Sequence, residues 1–129
     1  MDAGKAQTPH VTRVFVYGTL KRGCSNHHHL AGQKFLGEAR TAPGFTLFSL
    51  GDYPGMVRSA NPGDQVVGEV WKVDAACLAA LDKLEGVADG LYERVPLQLA
   101  PPFADQPVET YLYLRDLDGR SAIGAEWKS

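Results

Sequence analysis

The sequence lacks the features that mark membrane-spanning, exported or nucleic-acid-binding proteins. It has no run approaching the roughly 18 consecutive apolar residues that a membrane span needs. Its first ten residues contain no apolar core of the kind found in a signal peptide. The formal net charge is −2 and there is no block of Lys or Arg, so no basic surface for nucleic acid or an acidic membrane is expected. We therefore expect a cytoplasmic protein that binds neither.

Cysteine is also scarce. Two cysteines, Cys24 and Cys77, in a chain without an export signal predict free thiols rather than a disulfide. What is present is ordinary globular composition, with 129 residues, 44% hydrophobic and 22% charged, which excludes wholesale disorder. A chain of this length can bury a hydrophobic core without disulfide bonds or a structural metal ion. We expect a short mobile leader over residues 1–12, a single domain over 13–129, and a monomer.

Most of the chain has the alternating or β-branched patterns of strands. One long helix is predicted over residues 75–85, after the capping residue Asp74 and before Gly86. A short helix is predicted at 27–31, a loop at 51–55, and a loop-like tail at 117–129. Strands with one clear helix predict an α+β domain whose strands curl into a barrel or half-barrel. The predicted strands are 14–17, 34–41, 45–50, 65–73, 92–99 and 108–115.

The first candidate site is the end of the first strand. Residues 14–17 are β-branched and aromatic without a break, and they are followed by Gly18, Thr19 and Leu20. Glycine at position 18 permits a close approach of the backbone, and successive amides after a strand can converge on one carboxylate or phosphate. The alternative is an ordinary turn.

The second candidate is Glu85, near the end of the predicted helix. At ~100° per residue it falls within the apolar stripe of that helix. A carboxylate on this side is desolvated, and the helix C-terminus also disfavours negative charge, so both effects raise its pKa. Such a group is suited to general acid/base work. In the alternative, the last turn frays and Glu85 turns to solvent or pairs with Arg94. The stripe consists of Cys77, Leu78, Leu81 and Leu84.

Other polar residues carry weaker signals. Three adjacent histidines at 27–29 point in different directions on a helix and so cannot share one metal ion; we expect a polar helix face, with His27 able to face the loop. Lys21 and Arg22 lack the spacing of a phosphate-binding loop and predict a solvated pair beside the site. Cys24 with a neighbouring histidine has no third group to orient it as a nucleophile.

Taken in order, the motifs resemble the γ-glutamylcyclotransferase-like family, in particular its γ-glutamylamine cyclotransferase branch. Tyr-Gly-Thr-Leu alone is a weak signal, whereas the ordered set is specific. The resemblance does not extend to residues 1–12 or to the tail beyond about Asp116. The matching pieces are VFVYGTLKRG at 14–23, NH at 26–27, YPG at 53–55, VGEVW at 67–71, LDKLEG at 81–86, YER at 92–94 and YLY at 111–113.

The resemblance implies a small mixed β-barrel with flanking helices and a cavity at one end. It implies that Tyr17, Gly18, Thr19 and Leu20 (the 17–20 loop) bind the α-carboxylate of a γ-glutamyl group and that Glu85 is the general acid/base. Cyclisation would then release 5-oxoproline and a free amine, with no metal or organic cofactor. Its motifs also suggest cavity-lining donors, Tyr92 and Tyr111.

Two alternatives remain open at this point. The same chemistry could remove a protecting γ-glutamyl group in secondary metabolism, or the chain could be a catalytically silent module that binds a small carboxylate or a protein. The loops at 51–55 and 88–91 would build the pocket for the leaving amine, whose identity the sequence does not give.

Overall fold

The structure, a computed structural model, describes residues 11–128, which form eight strands, one α-helix and two 3₁₀ helices. Strand β1 is the strand that leads into the 17–20 loop, and α1 carries Glu85 at its end. Within the described residues no helix is both long and apolar enough to cross a bilayer. In chain order the elements are β1 (Val11–Val16), a first 3₁₀ helix (His27–Leu30), β2 (Lys34–Arg40), β3 (Phe45–Ser49), β4 (Pro54–Arg58), β5 (Val67–Asp74), α1 (Ala75–Leu84), a second 3₁₀ helix (Val87–Asp89), β6 (Tyr92–Leu97), β7 (Val108–Tyr113) and β8 (Ser121–Gly124).

In the described chain the strands form two sheets, of five and three strands. The larger has the order β2-β5-β1-β7-β6 and the smaller the order β4-β3-β8. β1 lies at the centre of the larger sheet, antiparallel to β5 and parallel to β7. The predicted α+β class is confirmed, and over residues 11–128 the sheets curve around a core without closing into a full barrel.

β1 is buried on both of its faces. Val14 and Val16 pack into a cluster with the buried residues of α1, whereas Phe15 and Tyr17 pack into a second cluster with the smaller sheet. A strand covered on both sides needs apolar residues at every position rather than at alternate ones. This explains the unbroken apolar run, and it places the end of β1 deep in the molecule.

The helix α1 begins where the sequence predicts and ends at Leu84, one residue earlier than predicted. The Asp74 side chain accepts a hydrogen bond from the Cys77 amide at 2.8 Å, and Gly86 stops the helix in a left-handed conformation with φ of +64°. Cys77 and Leu81 are buried, but Leu84 is 36% exposed, so its placement on the buried stripe was wrong. Leu84 lies at the rim of a cavity instead. Cys24 and Cys77 are free, as predicted.

Most predicted elements agree with the structure to within two residues at each end, and three parts of the chain differ by more. Residues 11 and 12 belong to β1 rather than to a leader, and the rest of that predicted leader lies outside the described residues. Pro54 and Gly55 begin an edge strand, where a proline at the first position loses no ladder hydrogen bond. The tail forms β8 at 121–124, paired with β3. β8 is four residues long and exposed, so its sequence has no buried face to produce alternation.

Replacing Gly68 with alanine is expected to destabilise the fold. A Cβ at this position in β5 would press on the Val16 carbonyl oxygen and lie 2.7 Å from the Phe15 ring. Because both belong to the central strand, the cost is expected to be about 1–3 kcal/mol in free energy of unfolding, measured by urea denaturation.

The matched control is Gly63→Ala, whose Cβ would have ordinary contact with Asn61 at 3.6 Å. This change is expected to alter the free energy of unfolding by less than about 0.5 kcal/mol. Equal effects of the two substitutions would contradict the close approach between β5 and β1.

Candidate active site

A cavity of about 340 Å³ opens at the end of β1. Its walls come from the 17–20 loop, the start of the first 3₁₀ helix, the turn before β4, the end of α1, and strands β6 and β7. The residues predicted for the site all line it, so the structure brings them together. They are Tyr17, Gly18, Thr19, Leu20, Glu85, Tyr92 and Tyr111.

The 17–20 loop presents unused backbone donors to this cavity. Its shape is fixed by Asn26, whose amide donates to the Thr19 carbonyl at 2.8 Å and whose side-chain amide donates to the Thr19 hydroxyl at 2.9 Å. Across residues 11–128, the backbone N–H groups of Gly18, Thr19 and Leu20 donate to no protein acceptor. Successive free amides in a turn form a site for a small anion, which agrees with the anion site predicted here.

Close packing holds this loop against the start of β4. A Cβ on Gly18 would lie 2.8 Å from the Pro54 ring, so only glycine fits there. The Tyr17 hydroxyl donates to the Tyr111 carbonyl at 2.6 Å and accepts from the Met56 amide at 3.2 Å. The loop is thereby tied to both sheets.

Glu85 follows the last residue of α1 and faces the same cavity. Within the described chain its carboxylate forms neither a hydrogen bond nor an ion pair, and burial raises its pKa to about 7. Arg94, the alternative partner, instead holds Asp82 through two contacts of 2.9 and 3.2 Å and also binds Glu109. The predicted rise in the pKa of Glu85 is confirmed, and burial is its cause.

Tyr92 and Tyr111 line the cavity, but their hydroxyl protons are engaged by the protein. The Tyr92 hydroxyl donates to the Pro54 carbonyl at 2.7 Å, and the Tyr111 hydroxyl donates to Asp82 at 2.7 Å. Burial is the main reason that the pKa of each phenol lies well above its usual range, so both stay neutral. Both tyrosines brace the walls of the site, and a role as donors to substrate stays a prediction.

The sequence analysis missed Glu69, which is 6% exposed. Its carboxylate accepts hydrogen bonds from the Arg22 amide at 3.1 Å, the Arg22 Nε at 3.0 Å and the Trp71 indole at 3.1 Å. Burial alone would raise the pKa of Glu69, but these bonds and the guanidinium charge hold it below its usual value. Since Glu69 shares one face of β5 with Trp71 and Val73, its period of two would have revealed a buried acid.

The prediction of a solvated pair was wrong for Lys21, whereas the Arg22 side chain is 44% exposed. Lys21 is 9% exposed and donates from Nζ to the Trp127 carbonyl at 2.7 Å. Arg22 pairs with Glu69. These contacts cross long stretches of sequence, so no local pattern indicates them.

The histidines offer no metal centre. The Nδ1 atom of His27 lies 3.0 Å from the Leu20 carbonyl, and its ring packs on Trp71 with centroids 5.3 Å apart, so His27 does face the loop. In the part of the chain that the structure describes, no group of three or more His, Cys, Asp or Glu side chains is arranged to hold a metal ion.

Comparison with known proteins shows the family of this chain. The family described as gamma-glutamyl cyclotransferase, AIG2-like, matches residues 14–129. The chain belongs to this family. It is thus an enzyme of the γ-glutamylcyclotransferase type, and the resemblance seen in the sequence is confirmed. The family match includes the tail, so the expected end of the resemblance at about Asp116 was wrong.

Individual relatives support the assignment. The chain is 37% identical to the gamma-glutamylcyclotransferase family protein YtfP of Escherichia coli K12 over 117 residues, covering 89% of this chain and 95% of that protein. It is 36% identical to the gamma-glutamylaminecyclotransferase of Bos taurus over 107 residues, covering 78% of this chain and 63% of the cattle protein. The solution structure of YtfP from Escherichia coli superposes with a TM-score of 0.67 at 36% identity, covering 90% of this chain and 95% of that one.

Replacing Glu69 with glutamine is expected to destabilise the protein at neutral pH. The glutamine side chain lacks the negative charge that the hydrogen bonds from Arg22 and Trp71 stabilise. The expected cost is about 1–3 kcal/mol in free energy of unfolding. A folded-state pKa below the ordinary value of 4.5 means that the carboxylate stabilises the protein above that pH and loses this effect as the pH falls. The difference from wild type should therefore shrink in acid, as measured by urea denaturation across pH.

Glu38→Gln is the matched control, because Glu38 binds the same Arg22 from a side chain that is 77% exposed. An exposed pair of this kind contributes less than about 1 kcal/mol. A loss as large as that of Glu69→Gln would show that burial of Glu69 is not what matters.

Proposed function

We propose that this protein is a γ-glutamylamine cyclotransferase that converts a γ-glutamyl amide into 5-oxoproline and a free amine. The observation that carries the proposal is an unpaired, half-buried carboxylate, Glu85, lining the same cavity as three free backbone amides. A γ-glutamyl group carries a carboxylate for the amides and an α-amine for the base. The name of the cattle relative, gamma-glutamylaminecyclotransferase, supports the choice of an amide substrate.

In this proposal the 17–20 loop fixes one end of the substrate. The amides of Gly18, Thr19 and Leu20 receive the α-carboxylate by charge-assisted hydrogen bonds. The nucleophile and the electrophile belong to one molecule, so the enzyme has to hold the γ-glutamyl chain folded, with the amine near its own γ-carbonyl. A loop held to both sheets is suited to this, because it does not have to reorganise on binding.

Glu85 moves the protons. It takes a proton from the α-ammonium, and the neutral amine attacks the γ-carbonyl carbon to form the new C–N bond of the lactam. Protonation of the amide nitrogen by Glu85 then allows the old C–N bond to break. Of the three protons on the α-ammonium, one stays on the lactam nitrogen and two leave with the released ammonium, so the reaction consumes none. A loop amide not used by the carboxylate can donate to the oxyanion.

The test is release of 5-oxoproline from a panel of γ-glutamyl amines and γ-glutamyl dipeptides, for the wild type and Glu85→Gln. The variant is expected to lose about a hundred- to ten-thousandfold in kcat, because it cannot accept the proton. For the wild type, kcat/KM should fall below a pH of about 7, where Glu85 is protonated in the free enzyme.

Glu93→Gln is the matched control, since Glu93 is exposed on β6 and does not line the cavity. It should retain wild-type activity. Full activity in folded Glu85→Gln would remove Glu85 as the base, and a wild type inert on the whole panel would overturn the proposed function.

A further inference from the structure

The cavity is charged with one sign. Among residues 11–128, its charged lining residues are Asp52 and Glu85, both acidic, and no Lys, Arg or His lines it. The free amides of the 17–20 loop account for one carboxylate of the substrate. A second carboxylate, at the far end of the leaving amine, would have no cationic side chain to pair with among these lining residues.

The basic residues nearest to the loop are directed elsewhere. Lys21 donates to the Trp127 carbonyl and Arg22 pairs with the buried Glu69. Both line a separate cavity on the other side of the loop. Neither is available to a substrate bound at the end of β1.

Two arginines outside the cavity lining, one on β6 and one just after β7, are engaged as well. Arg94 binds both oxygens of Asp82. Arg115 donates to the carbonyl oxygens of Asp89 and Gly90, at 2.7 and 3.1 Å. A substrate carboxylate would have to displace these contacts to gain a positive partner.

Asp52, in contrast, is free to act on a ligand. It is exposed, and within the described residues it forms no ion pair. Its loop is held in place, because the Leu50 amide donates to the Tyr53 carbonyl at 2.9 Å and the Pro54 carbonyl accepts from Tyr92. Asp52 is thus a fixed negative charge at the rim.

The direction of the leaving amine follows from the other end of the substrate. With the α-carboxylate at the 17–20 loop and the amine at Glu85, the leaving group extends along the remaining lining. That lining combines apolar surface from Leu84 and Leu91 with the Asp52 carboxylate. Such a surface suits an alkyl chain that ends in a cation.

We propose that this cavity selects γ-glutamyl amides whose leaving amine carries a positive charge at its far end, and that Asp52 sets this selectivity. The inference rests on the proposed function and specifies its substrate class. Asp52 is thereby a specificity determinant. γ-Glutamyl amides whose leaving amine ends in a carboxylate are poor substrates.

The experiment uses three synthetic γ-glutamyl amides with the same alkyl chain. One is the amide of pentylamine, and in the other two the distal methyl group is replaced by an ammonium or by a carboxylate. We expect kcat/KM for 5-oxoproline release to be highest for the ammonium amide and lowest for the carboxylate amide. The ammonium and methyl amides should differ by about fivefold, because a single nearby charge has a modest effect at high dielectric constant. The preference should weaken as salt is added.

The decisive quantity is the change in the ammonium-to-methyl ratio when Asp52 is replaced by asparagine. The ratio should fall towards one in Asp52→Asn and stay at the wild-type value in Asp105→Asn, which removes the same charge from an exposed loop away from the cavity. An unchanged ratio in Asp52→Asn, or a carboxylate amide that reacts as fast as the ammonium amide, overturns the inference and leaves the proposed function intact. Release of 5-oxoproline from none of the three by wild type overturns both.

Discussion

The burial of the Glu85 carboxylate is the constraint on which the arrangement of the site depends. An unpaired carboxylate away from water costs stability, and a free helix end would relieve that cost by fraying. Here the last turn of α1 is held by Asp82, which binds Arg94 from β6 and the Tyr111 hydroxyl from β7. Gly86 then turns the chain away in a left-handed conformation that other residues rarely adopt. The helix end is thus held in the position that keeps Glu85 half-buried at the cavity.

The 17–20 loop, which forms another wall of the cavity, is held by contacts with residues of β4 and β5. Gly18 lies against Pro54, and Glu69 binds both the backbone and the side chain of Arg22, just after the 17–20 loop. The loop follows β1 directly and the end of α1 is held through β6 and β7, so the loop and the base are both positioned by the five-stranded sheet. Two groups fixed to one rigid sheet can meet a folded γ-glutamyl chain without rearrangement, which is the entropic requirement of an intramolecular cyclisation.

The sequence indicated the parts of the site that depend on local geometry. The position of Glu85 follows from helical periodicity, and the amides of the 17–20 loop follow from a glycine placed after a buried strand. Both are short-range properties, and so a single sequence contains them. The resemblance added the substrate, which periodicity does not give.

Contacts between distant residues could not be predicted in the same way. Arg22 and Glu69 are 47 positions apart and Lys21 and Trp127 are 106 apart, so nothing local shows that Arg22 pairs with a buried carboxylate or that the Lys21 ammonium binds a backbone carbonyl. β8 was missed because an exposed four-residue strand has no apolar alternation, and its formation depends on pairing with β3. Leu84 was misplaced because the helix ends at that residue and the buried stripe ends one turn earlier.

The most direct test of the account is titration of the Glu85 carboxyl carbon by NMR, with the signal assigned by its loss in Glu85→Gln. The account predicts an inflection at a pH of about 7, since burial without a compensating partner disfavours the charged form. An inflection near the ordinary value of 4.5 in the folded protein would show that water or a cation reaches the carboxylate, and it would contradict its role as a base poised near neutrality.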